Sequence, residues 1–99
     1  MTEHIKIERN DGIVALTFAR PDKKNALTNA MYGVLADTLF AAESDPAARV
    51  LVMRGEGDMF TSGNDVGEFA AIAAGKVQGE RHVSRFLQAL VQSSRPLVA

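Results

Sequence analysis

Ile5 and Ile7 alternate with His4, Lys6 and Glu8, and after Asn10-Asp11-Gly12 a second alternation follows at Val14, Leu16 and Phe18. Two period-two runs joined by Asp-Gly predict a β-hairpin. The polar stretch "RPDKKNAL" contains Pro21, so the chain is expected to leave the sheet there as a loop with its basic side chains in solvent. Thr28 is a suitable N-cap, and Met31, Val34, Leu35, Leu39 and Ala42 then keep helical spacing until Asp45-Pro46. The unbroken Val50-Leu51-Val52-Met53 predicts a strand buried on both faces of a parallel sheet, which makes strand, helix and strand a right-handed crossover unit. A loop, "DMFTSGNDVG", leads into a short helix from Val66 to Ala73 that stops near Gly75. Val83, Phe86, Leu87, Leu90 and Val91 predict a longer amphipathic helix, and "RPLVA" reads as the opening of another buried strand. The pattern is therefore α/β, and the break after Ala99 is expected to cut a single domain short, leaving 1–99 as its amino-terminal part.

Composition narrows the function classes. With 46% apolar and 23% charged residues the chain is a globular one, and a net charge of -1 argues against a polyanion-binding protein. Nucleic acid is not an expected partner. Without cysteine there are no disulfides, thiolate nucleophiles or thiolate metal sites. The amino terminus lacks the apolar segment of a signal peptide and no stretch is apolar enough for a bilayer, so the expected location is cytoplasmic and no membrane partner is expected.

The loop "TSGND" carries the strongest chemical hint. One reading is structural: Gly63 permits a tight turn, and Ser62, Asn64 or Asp65 caps the following helix. The other is functional. A loop between the carboxyl end of a parallel strand and a helix amino terminus is where α/β sheets place ligands, and Gly63 lets a ligand approach the backbone N–H of Asn64. Arg20, Lys23 and Lys24 form a basic cluster, either a solvated turn or an attraction for phosphate. His4 and His82 read as surface residues without a companion ligand at metal spacing, so no metal site is expected. Glu68 reads as a solvated first-turn carboxylate favoured by the helix dipole, and Met53 and Met59 as packing residues.

Taken in order, "RPDKKNALT", "VLVMRGEGDMFTSGNDV" and "SSRPLVA" resemble the amino-terminal part of the crotonase superfamily, the enoyl-CoA hydratase/isomerase family. The resemblance implies a spiral of repeated β-β-α units and an acyl-CoA thioester as substrate, with coenzyme A entering as part of that substrate and no separate cofactor. It implies an oxyanion hole whose first donor is the backbone N–H of Asn64, and substrate contacts from Lys24, Ala26, Ser62, Gly63, Asn64, Asp65 and Val66. The basic loop then faces coenzyme A, with Ala26 offering main-chain groups. The string Ser62-Gly63-Asn64-Asp65 is similar to that of Δ3,Δ2-enoyl-CoA isomerases. A lyase or isomerase of fatty acid metabolism follows as the implied activity, hydrating a trans-2-enoyl-CoA or moving its double bond, in a homotrimer or dimer of trimers. The resemblance also places the second donor in a glycine-rich segment after the strand opening at Pro96, and the glutamate acid/base groups further on. A rival expectation of another class is a noncatalytic acyl-CoA-binding or assembly protein of the same fold.

Overall fold

A computed structural model describes residues 3–75 and 81–99. Strands β1 (Ile5–Asn10) and β2 (Ile13–Phe18) form the expected hairpin, antiparallel in register from Ile5 opposite Phe18 to Asn10 opposite Ile13. Its two turn residues, Asp11 and Gly12, have φ of 51° and 84°, the twist that suits a two-residue hairpin. A 3-10 turn at Pro21–Lys23 precedes helix α1 (Asn29–Glu43), after which β3 (Val50–Gly55) runs parallel to β2. Helices α2 (Val66–Ala73) and α3 (Val83–Gln92) follow, and β4 (Leu97–Val98) joins β3 in parallel, giving the sheet order β1-β2-β3-β4.

Helix α1 starts where its cap predicts, the Thr28 hydroxyl accepting the Met31 N–H at 3.2 Å. Met31, Leu35 and Leu39 are buried against Val14, Leu16 and Phe18 of β2 and Leu51 and Met53 of β3, in one apolar core. The core sits on one face of the sheet. In β3 only Leu51 and Met53 are buried, while Val50 and Val52 are half-buried, so this strand is not enclosed on both faces as its unbroken apolar run predicted. On the far side of the sheet the hairpin carries polar groups instead: the Arg54 guanidinium donates to the Thr17 hydroxyl at 3.1 Å and pairs with Glu8, and Lys6 pairs with Glu56 at 2.7 Å.

Two further expectations are corrected. Along α3 it is Val83, Phe86, Ala89 and Leu90 that pack on the core, whereas Leu87 and Val91 point outward at 55% and 86% exposure. The inward stripe follows the line of contact with α1, and the two exposed residues lie on its flank. β4 is a strand but not a buried one, because among the described residues only β3 pairs with it. No helix among the described residues is long and apolar enough to cross a membrane.

Candidate functional site

The loop after the hairpin and the loop after β3 run side by side, joined by backbone bonds between residues 36 or more positions apart. Ser62 N–H donates to Lys24 O at 3.0 Å, Leu27 N–H to Gly63 O at 2.8 Å, and Asp65 N–H to Leu27 O at 2.9 Å. Lys24, Ala26, Ser62, Gly63, Asn64, Asp65 and Val66 are thereby brought together on one short parallel ladder. Because the bridge uses Gly63 O and Asp65 N–H, the Asn64 N–H is turned to the side away from Leu27. Among the described residues it meets no acceptor. Gly63 has φ of 99°, a conformation that strains any residue with a side chain, and an added Cβ would meet nothing within 4 Å. The Asn64 N–H therefore stands at an exposed turn whose shape glycine permits, available to an oxygen that carries developing negative charge.

The capping reading of the loop is realised at Asp65. Asp65 is the N-cap of α2, its carboxylate accepting the Glu68 N–H at 2.9 Å, so the helix start is satisfied by its own carboxylate rather than left open for a ligand. That hydrogen bond, followed by the one from Arg20, holds the Asp65 carboxyl below its ordinary range.

Arg20 does not belong to a solvated basic cluster. Its Nη1 donates to Asp65 Oδ2 at 2.8 Å and to Ala26 O at 3.0 Å, with the side chains of Arg20 and Asp65 only 15% and 21% exposed. One guanidinium thus clamps the two loops together. Lys23 and Lys24 remain exposed, and Lys24 lines a 350 Å³ cavity with Pro21, Asn25 and Met59 in which Glu56 and Asp58 also lie. Both main-chain groups of Ala26 are engaged within the chain, the N–H with Lys23 O at 3.1 Å and the carbonyl with Arg20, whose bond leaves the second lone pair of that oxygen. Val66 begins α2 at 80% exposure.

Several residues that build the site carry no signal at their own positions. Asn25 is fully buried, with φ of 57°, and its amide accepts the Arg20 N–H at 2.9 Å while donating to Glu56 O at 2.8 Å and Met59 O at 2.7 Å. Thr61 adds a further tie, its hydroxyl donating to Asn25 O at 2.7 Å and accepting the Gly63 N–H at 3.1 Å. Glu68 is not a solvated carboxylate. It is half-buried and accepts the Asn29 N–H, joining the starts of α1 and α2. The hydroxyl of Tyr32, on α1, donates to the side-chain oxygen of Asn64. His82 is half-buried, with its ring against Gly33 and Nδ1 2.8 Å from Arg85 Nη1, and among the described residues no group of His, Asp and Glu could hold a metal ion.

Known proteins share this arrangement of segments. The profile of a family described as Enoyl-CoA hydratase/isomerase matches residues 8–99. Enoyl-CoA delta isomerase 2 of Homo sapiens is 32% identical over 98% of this chain and 26% of its own length. Hydroxycinnamoyl-CoA hydratase-lyase of Pseudomonas fluorescens is 40% identical over 66% of this chain and 24% of its own. Among solved structures, an enoyl-CoA hydratase/isomerase from Pseudoalteromonas atlantica T6c superposes with a TM-score of 0.86 at 33% identity, covering 97% of this chain and 37% of that one. The chain thus spans about a quarter of the length of these curated relatives.

Proposed function

The chain belongs to the enoyl-CoA hydratase/isomerase family of the crotonase superfamily, and from that premise we propose that it forms the amino-terminal part of an enzyme that polarises an acyl-CoA thioester with the backbone N–H of Asn64. The observation that carries this reading is that N–H itself: on an exposed residue, without an acceptor among the described residues, and held by a ladder that keeps it out of the loop's own hydrogen bonds.

When a proton leaves the α-carbon of an enoyl-CoA, or water adds at its β-carbon, the thioester oxygen gains negative charge. A preorganised donor lowers the barrier by meeting that charge as it develops. A side chain larger than hydrogen at position 63 would stand beside the approaching thioester, and Gly63 keeps that approach open. Lys24, exposed on the adjoining loop, supplies positive charge for a coenzyme A phosphate, and Ser62, Asp65 and Val66 line the approach from the donor side. The similarity of Ser62-Gly63-Asn64-Asp65 to the string of Δ3,Δ2-enoyl-CoA isomerases tilts this reading weakly toward double-bond isomerisation, with hydration as the alternative outcome. In this reading the second donor and the carboxylates that move the proton come from segments other than these 99 residues, which on their own are inert. An absent oxyanion donor alone costs about 10²–10³ in rate.

Substitutions at Asn64 test the donor in the full-length enzyme, assayed with trans-2-enoyl-CoA and 3-enoyl-CoA. Asn64→Ala keeps the N–H and is expected to stay within about tenfold of wild type in kcat/KM, whereas Asn64→Pro removes it and is expected to lose about 10²-fold or more. Circular dichroism and melting establish that both variants fold. Equal damage from the two substitutions in folded protein would assign the role to the side chain and refute the backbone assignment.

A further inference from the structure

The thioester chemistry uses the main chain of Asn64 and makes no demand on its side chain, yet that side chain is held. Tyr32 lies in the first turns of α1, 7% exposed, with its ring 6.4 Å from Phe69 of α2 in an edge-on contact and 5.3 Å from Phe86 of α3. Three helices thus fix the ring, and its hydroxyl reaches the carbonyl oxygen of the Asn64 amide. The turn it meets is held on its other side by the ladder, and on this side packing adds little. Gly63 has no packing within 4 Å of where a Cβ would be and Asn64 is exposed, while Gly63 O and Asp65 N–H are held by the ladder and Gly63 N–H by the Thr61 hydroxyl. The peptide between Gly63 and Asn64 is pinned at its carbonyl by the Leu27 N–H, and rotation of that peptide, which would swing the donor N–H off its target, is opposed a second time where Tyr32 holds the Asn64 side chain.

We propose that Tyr32 is a positioning residue, whose hydroxyl, together with the Leu27–Gly63 bond, fixes the direction of the Asn64 N–H by gripping the Asn64 side chain. The inference rests on the reading of that N–H as the oxyanion donor. Burial raises the phenol's pKa above its ordinary value, so Tyr32 stays protonated and remains a donor throughout the neutral and mildly alkaline range. Because the hydroxyl acts through a single side chain, its effect must vanish when that side chain is gone. This distinguishes positioning from a general contribution to packing, which would persist.

Tyr32→Phe keeps the ring and its aromatic contacts and removes only the hydroxyl. In the full-length enzyme kcat for an enoyl-CoA is expected to fall about two- to tenfold, the range of one hydrogen bond, with KM little changed. The double variant Tyr32→Phe/Asn64→Ala is expected to be no slower than Asn64→Ala alone. Losses that multiply in the double variant would overturn the proposal, since they place Tyr32 in the fold at large. An independent reading comes from the ¹H–¹⁵N resonance of Asn64. A shifted resonance in Tyr32→Phe supports the proposal, and an unmoved one overturns it. That measurement needs no turnover, so a protein inactive on every enoyl-CoA would sink the assigned function while the resonance still decided the role of Tyr32.

Discussion

Replacing Asn25 with alanine tests whether one buried amide holds the two site loops together. The side chain is excluded from solvent and makes its hydrogen bonds to Arg20 N–H, Glu56 O and Met59 O, groups on two different loops. Alanine leaves all of them without that partner. Each lost bond costs about 1 kcal/mol where water can replace the amide and more where it cannot. Position 25 also has φ of 57°, which asparagine tolerates and alanine does not. The expected destabilisation is about 4–6 kcal/mol, large against the roughly 5–15 kcal/mol that holds a typical domain folded. Asn25→Asp is a sharper probe, since it keeps the acceptor toward Arg20 and the tolerance of positive φ but turns a carboxylate oxygen toward two carbonyls. It is expected to be as damaging at neutral pH and to recover in part as the carboxyl protonates. Urea unfolding followed by circular dichroism measures both. An unfolding free energy for Asn25→Ala within about 1 kcal/mol of wild type would show that the loops are held by other contacts and refute this account.

At the end of β3, a Cβ on Gly55 would lie 2.4 Å from the carbonyl oxygens of both Met59 and Phe60 and 2.8 Å from Asn25 Nδ2. Gly55→Ala is therefore expected to cost several kcal/mol, roughly as other overpacked sites do, and a wild-type melting temperature would contradict the close approach. The Asp65 carboxyl is lowered first by the Glu68 N–H and then by Arg20, so its contribution to stability is fully present above the unfolded carboxylate pKa of about 3.9 and is lost as pH falls through the lower folded value. Asp65→Asn keeps a capping oxygen but not the charge, so the stability gap between it and wild type should narrow below about pH 4 in urea melts, and a gap independent of pH would reject the charged pairing with Arg20.

Much of the architecture was legible in one dimension because the forces that shape it act over a few residues. Thr28 begins α1 because a hydroxyl reaches an N–H within its own turn, Asp11-Gly12 closes the hairpin because its twist is local, and α2 runs from Val66 to Ala73 as its flanking loop and glycine predict. The family was legible too, through the resemblance of "RPDKKNALT", "VLVMRGEGDMFTSGNDV" and "SSRPLVA", which the match over residues 8–99 bears out. Tertiary structure decided what their polar side chains do. Arg20 reads as one more cation beside Lys23 and Lys24 until Asp65, 45 residues later, is folded against it. Asn25, Glu68 and Tyr32 likewise find their partners 31 to 39 residues away. The apolar run of β3 met a helix on one face only, among the described residues, which no count of its valines could reveal. Periodicity records which side of an element is apolar, but a polar group in a loop has the same local signature whether water or a distant backbone satisfies it, and only the folded chain brings that backbone within hydrogen-bonding distance.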